Sequence, residues 1–218
     1  MSETENPSGE PEREPGSHSE QVRVQHVSAR VPEQVSRGAF STGAIVMTGG
    51  TEFIVDFIMN LGTPASVAAR VVMPHATMPQ FIEALKKNLE IYKKRFGDPP
   101  VLPQQQKPAK QPSAQEIYDE LKLPDELLSG SYANGVMIGH TPSEFKFDFL
   151  TNLFPNSAVS ARVFLSAPQV PRLLASLQST YQQFQQRVQQ QREGGQPPQN
   201  PPQDPLPPDS TTGDLPST

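Results

Sequence analysis

Glu52-Phe53-Ile54-Val55-Asp56-Phe57-Ile58-Met59-Asn60-Leu61 returns 92 residues further on as Glu144-Phe145-Lys146-Phe147-Asp148-Phe149-Leu150-Thr151-Asn152-Leu153. In the first stretch Phe53, Val55, Phe57 and Met59 alternate with Glu52, Ile54, Asp56 and Ile58. That is the period of a β-strand with a phenylalanine face toward a core. The second stretch repeats it with Phe145, Phe147 and Phe149 against Glu144, Lys146 and Asp148. One such strand with a copy of itself decides the fold: the chain is a duplication.

The same offset extends outward without a gap. Pro32 meets Pro124, Gly38 meets Gly130, and Val67-x-Ala69-Arg70-Val71 meets Val159-x-Ala161-Arg162-Val163. Pro79, Leu85 and Arg95 meet Pro171, Leu177 and Arg187. Roughly a quarter of the aligned positions are identical, too many over an ungapped run of this length to arise by chance.

Each copy builds from this strand. Phe40 to Met47 and Tyr132 to Ile138 are apolar with small residues and read as strands, joined to the Phe strand by hairpin turns. Asn60 to Ala65 is a turn with Gly62 and Pro64 as breakers, and Val67 to Met73 is the next strand. Gln21 to Ala29 alternates weakly, as an edge strand does; its counterpart, Ile117 to Leu123, is less strand-like. A hairpin turning about residue 63 sets Asp56 against Arg70, Phe57 against Ala69, Val55 against Val71 and Phe53 against Met73. The second copy gives Asp148 against Arg162, Phe149 against Ala161, Phe147 against Val163 and Phe145 against Leu165. A slip of one residue breaks every pair, so this register is the expected one.

The unit ends in a helix. Pro79 and Pro171 fall near the first turn, where a missing N–H costs little. Ile82, Leu85, Leu89, Tyr92 and Phe96 then recur at helical spacing, and Leu174, Leu177, Tyr181, Phe184 and Val188 repeat them. Such a seam can lie on its own sheet or pair with the other copy's helix, and the spacing does not choose.

Composition sets the boundaries. Residues 1–20 are rich in Glu, Pro, Ser and Gly and read as a disordered acidic tail. The first repeat spans 21–97, a Pro/Gln-rich linker 98–115, the second repeat 116–192 and a Pro-rich tail 193–218. That last segment reads as polyproline-type, either solubilising or read by a partner. With no cysteine there is no disulfide framework and no thiol nucleophile. The absence of a thiol and of an apolar leader points to the cytoplasm. No stretch is apolar enough for a membrane span, and a net charge of −5 disfavours general nucleic-acid binding.

The pattern Tyr132-Ala133-Asn134, His140-Thr141-Pro142-Ser143-Glu144-Phe145, Asp148-Phe149 and Ala161-Arg162-Val163 resembles a small bacterial domain family known only as domain of unknown function 3467. Both copies resemble it, the second more closely. The first departs at Thr48-Gly49-Gly50-Thr51, where the second has His-Thr-Pro-Ser. The resemblance implies no catalytic residues and supports the repeat boundaries.

Candidate chemistry is sparse. Glu52 with Asp56, and Glu144 with Asp148, are carboxylate pairs of the kind used in acid–base or metal chemistry, but no histidine or third carboxylate accompanies them. They read more simply as a polar sheet face with ion pairs to Arg70 and Arg162. His18, His26, His75 and His140 show no ligand spacing, and neither His75 nor His140 is repeated in the other copy. No metal or cofactor is therefore expected. Thr48-Gly49-Gly50-Thr51 is too short for a phosphate cradle and reads as a hairpin turn. Lys86, Lys87, Lys93, Lys94 and Arg95 make the first helix basic; a solvated face is the plainer reading.

The expected class is α+β: two units, each a three- to four-stranded antiparallel sheet followed by a helix, related by a pseudo-two-fold axis and packed on each other as a fused dimer. The packing expected from the apolar outer positions sets Ile45, Ile54, Ile58 and Val72 against Met137, Leu150 and Phe164. The expected function is a non-enzymatic protein-interaction or scaffold module with an unknown protein partner. Two alternatives are a holdase-like or apolar-ligand role through Ile45, Met47, Ile54 and Ile58, and weak nucleic-acid binding through the basic helix.

Overall fold

A computed structural model describes residues 20–24, 27–102 and 114–194. The acidic tail up to residue 19, most of the linker and the Pro-rich tail from 195 onward lie outside these residues, as do His18 and His26.

The duplication is visible element by element. The first half contains β1 (Glu20–Val24), β2 (Val27–Val31), the short helix α1 (Glu33–Ser36), β3 (Ala39–Ser41), β4 (Gly43–Thr48), β5 (Glu52–Met59), β6 (Ser66–Pro74) and the long helix α2 (Met78–Phe96). The second contains α3 (Ala114–Asp119), a 3₁₀ turn (Asp125–Leu127), β7 (Ser131–Tyr132), β8 (Gly135–His140), β9 (Glu144–Asn152), β10 (Ser157–Ser166) and α4 (Val170–Gly194). From residue 27 onward the halves differ in kind at two places: β2 of the first is matched by residues 119–123, where α3 ends, and α1 is matched by the 3₁₀ turn. The weak alternation of 21–29 becomes a two-strand hairpin, β1 with β2.

The β5–β6 ladder sets Asp56 opposite Arg70, Phe57 opposite Ala69, Val55 opposite Val71 and Phe53 opposite Met73. The β9–β10 ladder repeats it with Asp148 opposite Arg162 and Phe149 opposite Ala161. Both ladders then shift register, one between Phe57 and Ile58 and the other between Val159 and Ala161. The extra residue, Ala68 or Ser160, is a bulge that adds twist.

Alternation does not reveal that the halves exchange strands. Phe40 to Met47 is two strands rather than one, because the chain changes sheets at Thr42. Its N–H and Oγ1 both donate to the Ile58 carbonyl, at 2.7 and 3.1 Å. Before that corner β3 runs parallel to β10 of the second half, with Phe40 opposite Phe164. Reciprocally, β7 runs parallel to β6 of the first half, with Tyr132 opposite Val72. The two sheets are therefore β1-β2-β10-β9-β8, with β3 also on β10, and β4-β5-β6-β7. The triplets β4-β5-β6 and β8-β9-β10 are antiparallel as expected, but the sheets are mixed, because β2 and β3 join β10, and β7 joins β6, in parallel across the two halves.

The halves share one core. Phe53, Val55, Phe57, Val71 and Met73 of the first lie in one buried cluster with Phe145, Phe147, Phe149, Val163 and Leu165 of the second. Phe57 meets Phe149 with ring centroids 5.6 Å apart, and Phe81 of α2 meets Phe149 edge-on at 5.6 Å. The phenylalanine faces thus pack on each other. This corrects the expectation that Ile45, Ile54, Ile58 and Val72 face Met137, Leu150 and Phe164: those residues are on the outer faces. Burying the largest aromatic side chains yields more free energy per residue than burying the aliphatic face.

Both alternatives for the helix seam are incomplete. Helix α2 packs beside α4 and over β8 of the second half, while α4 packs over β4 of the first. Ile82, Leu85, Leu89 and Tyr92 are buried, and Phe96 is more exposed at the helix end. Leu177 is buried, whereas Leu174, Tyr181, Phe184 and Val188 are half-buried. Tyr92 stacks near Phe145 at 5.2 Å and donates its hydroxyl to the Pro142 carbonyl at 2.7 Å, so the seam binds the opposite half. Phe184 does the same against Phe53, at 5.4 Å.

Candidate functional site

The outer faces carry the polar residues of the repeat, and each is covered by a strap from the opposite half. In the second half Asp148 is fully buried and Arg162 nearly so. Arg162 Nε donates to Asp148 Oδ1 at 2.6 Å, and its Nη1 donates to the Ser36 carbonyl in α1 at 3.0 Å. In the first half Arg70 Nε and Nη2 donate to the two Asp56 oxygens at 2.8 and 2.7 Å, and Nη1 donates to the Leu128 carbonyl at 3.2 Å. Ser36 and Leu128 are equivalent positions, so each arginine ties its own strand pair to the strap of the other copy. The bidentate fork matches a carboxylate in geometry and leaves donors over for that carbonyl.

Gly38 and Gly130 let the straps pass. Both have φ of +68°. A Cβ at Gly38 would lie 2.6 Å from the Phe164 ring and 2.8 Å from Arg162 Cγ; one at Gly130 would lie 2.7 Å from Val72 and 2.9 Å from Arg70. Ala29, Val31 and the half-buried Val35 then pack on Met137, Leu150 and Val159 to close the second outer face.

The two carboxylates differ in their further partner. Asp56 accepts a short hydrogen bond from the Tyr118 hydroxyl of α3, while Asp148 pairs with Lys146 at 3.1 Å. Burial first, and then the bond to Asp56, push the Tyr118 phenol above its usual range. The hydrogen bond to Asp56 in turn raises Arg70, so it stays protonated. Glu52 is separate from Asp56: its carboxylate accepts from the Thr51 hydroxyl and N–H at 2.6 and 3.1 Å, which lowers it below the ordinary carboxylate range. The Glu52/Asp56 and Glu144/Asp148 pairs thus resolve into buried ion pairs plus turn carboxylates. Among the described residues no group of three His, Cys, Asp or Glu could hold a metal ion.

Beyond each strap an open hollow remains. The first, of about 420 Å³, is lined by Thr51, Glu52, Ile54, Val72 and Tyr132 together with Arg70 and Leu128. The second, of about 370 Å³, is lined by Phe40, Gly139, Thr141, Glu144, Lys146 and Phe164. They are the same place in the two copies: Glu52 corresponds to Glu144, Ile54 to Lys146, Val72 to Phe164 and Tyr132 to Phe40. Both are built across the strand exchange, because Phe40 reaches the second sheet and Tyr132 the first. Phe40 is 42% exposed and Tyr132 44%, high for aromatic residues held in a sheet. Neither stood out in the sequence as a site residue, although their equal offset was a signal. Thr48-Gly49-Gly50-Thr51 is a hairpin turn closed by Gly49 N–H to the Glu52 carbonyl at 2.7 Å.

The two described histidines complete equivalent aromatic clusters. His140 stacks on Phe145 at 5.2 Å beside Tyr92 and Phe96. His75 lies 4.1 Å from Phe184 and 5.0 Å from Phe53. Burial, followed by the nearby Arg95 charge, lowers His140. On α2, Lys87, Lys93, Lys94 and Arg95 are exposed and Lys86 is half-buried; Lys93 pairs with Asp98 at 2.9 Å. Among the described residues no helix is long and apolar enough to cross a membrane.

Comparison with known proteins agrees with the duplication. No curated protein matches the chain. The family model described as protein of unknown function (DUF3467) matches it twice, over residues 1–98 and again over 103–190. Two matches in tandem cover both strand-rich units, and the chain belongs to the DUF3467 family, with two copies of its domain in one polypeptide.

Proposed function

We propose that the chain is a non-catalytic protein-interaction module, a fused pseudo-dimer whose docking sites are the two outer hollows. The observation that carries this is that each hollow is assembled from both halves and presents a half-exposed aromatic ring, Phe40 or Tyr132. Exposed aromatic anchors beside a polar rim are what protein interfaces use. The acid–base groups argue the same way, since Asp56 and Asp148 are buried and spent on arginine. A holdase role through Ile45, Met47, Ile54 and Ile58 has less support, because Ile58 is 8% exposed and the other three are half-buried.

The test uses the intact chain as bait in extract of its native host, beside a Phe40→Ser, Tyr132→Ser double variant checked for an unchanged melting temperature. A specific set of captured proteins should be retained by the first and lost by the second. Equal capture by both removes the hollows from the function.

A further inference from the structure

We infer that the chain forms a homodimer through one side of its fold, the open edge of β4 together with the helix α4 that lies over it, so that the partner there is a second copy of the same chain. The dimer is independent of the hollows, since neither is lined by a residue of β4 or α4.

β4 ends its sheet: it pairs with β5 on one side and, among the described residues, with no strand on the other. Gly49 N–H donates to the Glu52 carbonyl. Counting back from that pair, the antiparallel alternation ties Met47 and Ile45 to β5 and turns the N–H and C=O of Ala44, Val46 and Thr48 outward. Native proteins guard such edges with charge, proline or shortness. The far end of the same sheet, β7, has two residues, and the edge strand β1 carries Glu20 and Arg23. β4 runs for six residues, Gly-Ala-Ile-Val-Met-Thr, with none of these guards. A second β4 running antiparallel sets Val46 against the partner's Val46 and Ala44 against the partner's Thr48. Small and β-branched residues then meet across the pair, and no charge opposes another.

β8 is an equally bare edge, and the helices decide between the two. α2 lies over β8 and α4 over β4. On α2 the seam residues Ile82, Leu85, Leu89 and Tyr92 are buried. On α4 Leu177 is buried, but Leu174, Tyr181, Phe184 and Val188 are left half-covered by the chain's own fold. The positions flanking the two seams differ in charge. α2 has Lys86 and Lys93 where α4 has Gln178 and Gln185, and α4 carries no charge from Leu173 to Gln186. Two copies of α2 brought together would set lysine against lysine. Two copies of α4 set amide against amide, and each amide both donates and accepts. A two-fold contact uses the same patch on both partners, so it stops at two provided that the other edge stays unpaired. The lysines of α2 keep β8 unpaired.

Sedimentation of the intact chain should show a dimer that dissociates on dilution. Gln178→Lys combined with Gln185→Lys should weaken it by about tenfold or more. Circular dichroism should be unchanged, because α2 already folds with lysine at the same two positions. Gln178→Glu combined with Gln185→Glu should weaken it alike, and an equimolar mixture of the lysine and glutamate versions should recover a dimer with one chain of each. Hydrogen exchange should find the Ala44, Val46 and Thr48 amides protected in the dimer and faster in the lysine version, with Val136 and Ile138 the same in both. A chain that stays monomeric at every concentration overturns the inference, as does a lysine version that dimerises as well as the parent. So does a mixture that stays monomeric, or a dimer whose β4 amides exchange freely. Species that keep growing with concentration overturn it too, by showing that β8 also pairs. Each of these results leaves the interaction reading to be judged on the capture experiment alone.

Discussion

At the residue scale the Asp–Arg pair is the feature on which both copies turn. Taking one partner away leaves a charge that water cannot reach. Asp148→Ala strands Arg162, which is 8% exposed, and should destabilise the fold by about 3–5 kcal/mol. Replacing both partners with apolar residues should recover much of that loss, because two desolvation penalties vanish with the pair. Urea unfolding of the single and double variants measures this. A single variant within about 0.5 kcal/mol of the parent would mean that the pair is solvated. Tyr118 supplies a second test. Its folded-state value is raised by burial and by Asp56, so the fold favours the neutral phenol. That contribution is complete below the unfolded value of about 10 and is lost as pH rises beyond it. Ultraviolet titration should contain one phenol step displaced to high pH, and Tyr118→Phe should remove that step. The pairing of Asp56 with Arg70 was legible from sequence, because opposite charges fell at mirror positions about a turn. Its burial was not, since the strap that covers it arrives from residues far away along the chain.

At the element scale the straps decide how the copies are joined. Gly38 and Gly130 sit where each strap crosses the other half's arginine, with positive φ and no room for a Cβ. Gly130→Ala should cost more than about 1 kcal/mol, combining left-handed backbone strain with contact on Val72 and Arg70. Thermal unfolding should show Gly38→Ala behaving alike, because the geometry is repeated. A neutral result at either site would mean that the strap can lift away. The alignment flagged both glycines, but not the reason for them. A strand-breaking glycine beside Phe40 or Tyr132 looks like an ordinary turn until the chain is seen to change sheets there.

At the scale of the whole molecule the shared core makes the halves one unit. The Phe53 and Phe145 faces lie in one cluster, and each half alone would expose its phenylalanine face, its helix seam and a sheet edge. A fragment of residues 1–97 should therefore dimerise, bind a hydrophobic dye or fail to fold, whereas the intact chain should unfold in one transition. Calorimetry and sedimentation of both settle the matter. A monomeric fragment that melts like the whole chain would make the copies independent beads.

What the sequence determined by itself was everything local or duplicated. The alternation of Phe53, Val55 and Phe57, the hairpin register through Asp56 and Arg70, and the helical spacing from Ile82 to Phe96 all follow from periods of two to four residues. The 92-residue offset then copies them. Tertiary structure alone decided partnership: that β3 leaves its own sheet for β10, that β7 leaves for β6, and that the phenylalanine faces rather than the isoleucine faces meet. Alternation states which residues share a face, but two apolar faces on one strand look alike until each has a partner. The choice between them is a difference in total buried area and in satisfied main-chain hydrogen bonds. Both are properties of the assembled pair, and neither half contains them.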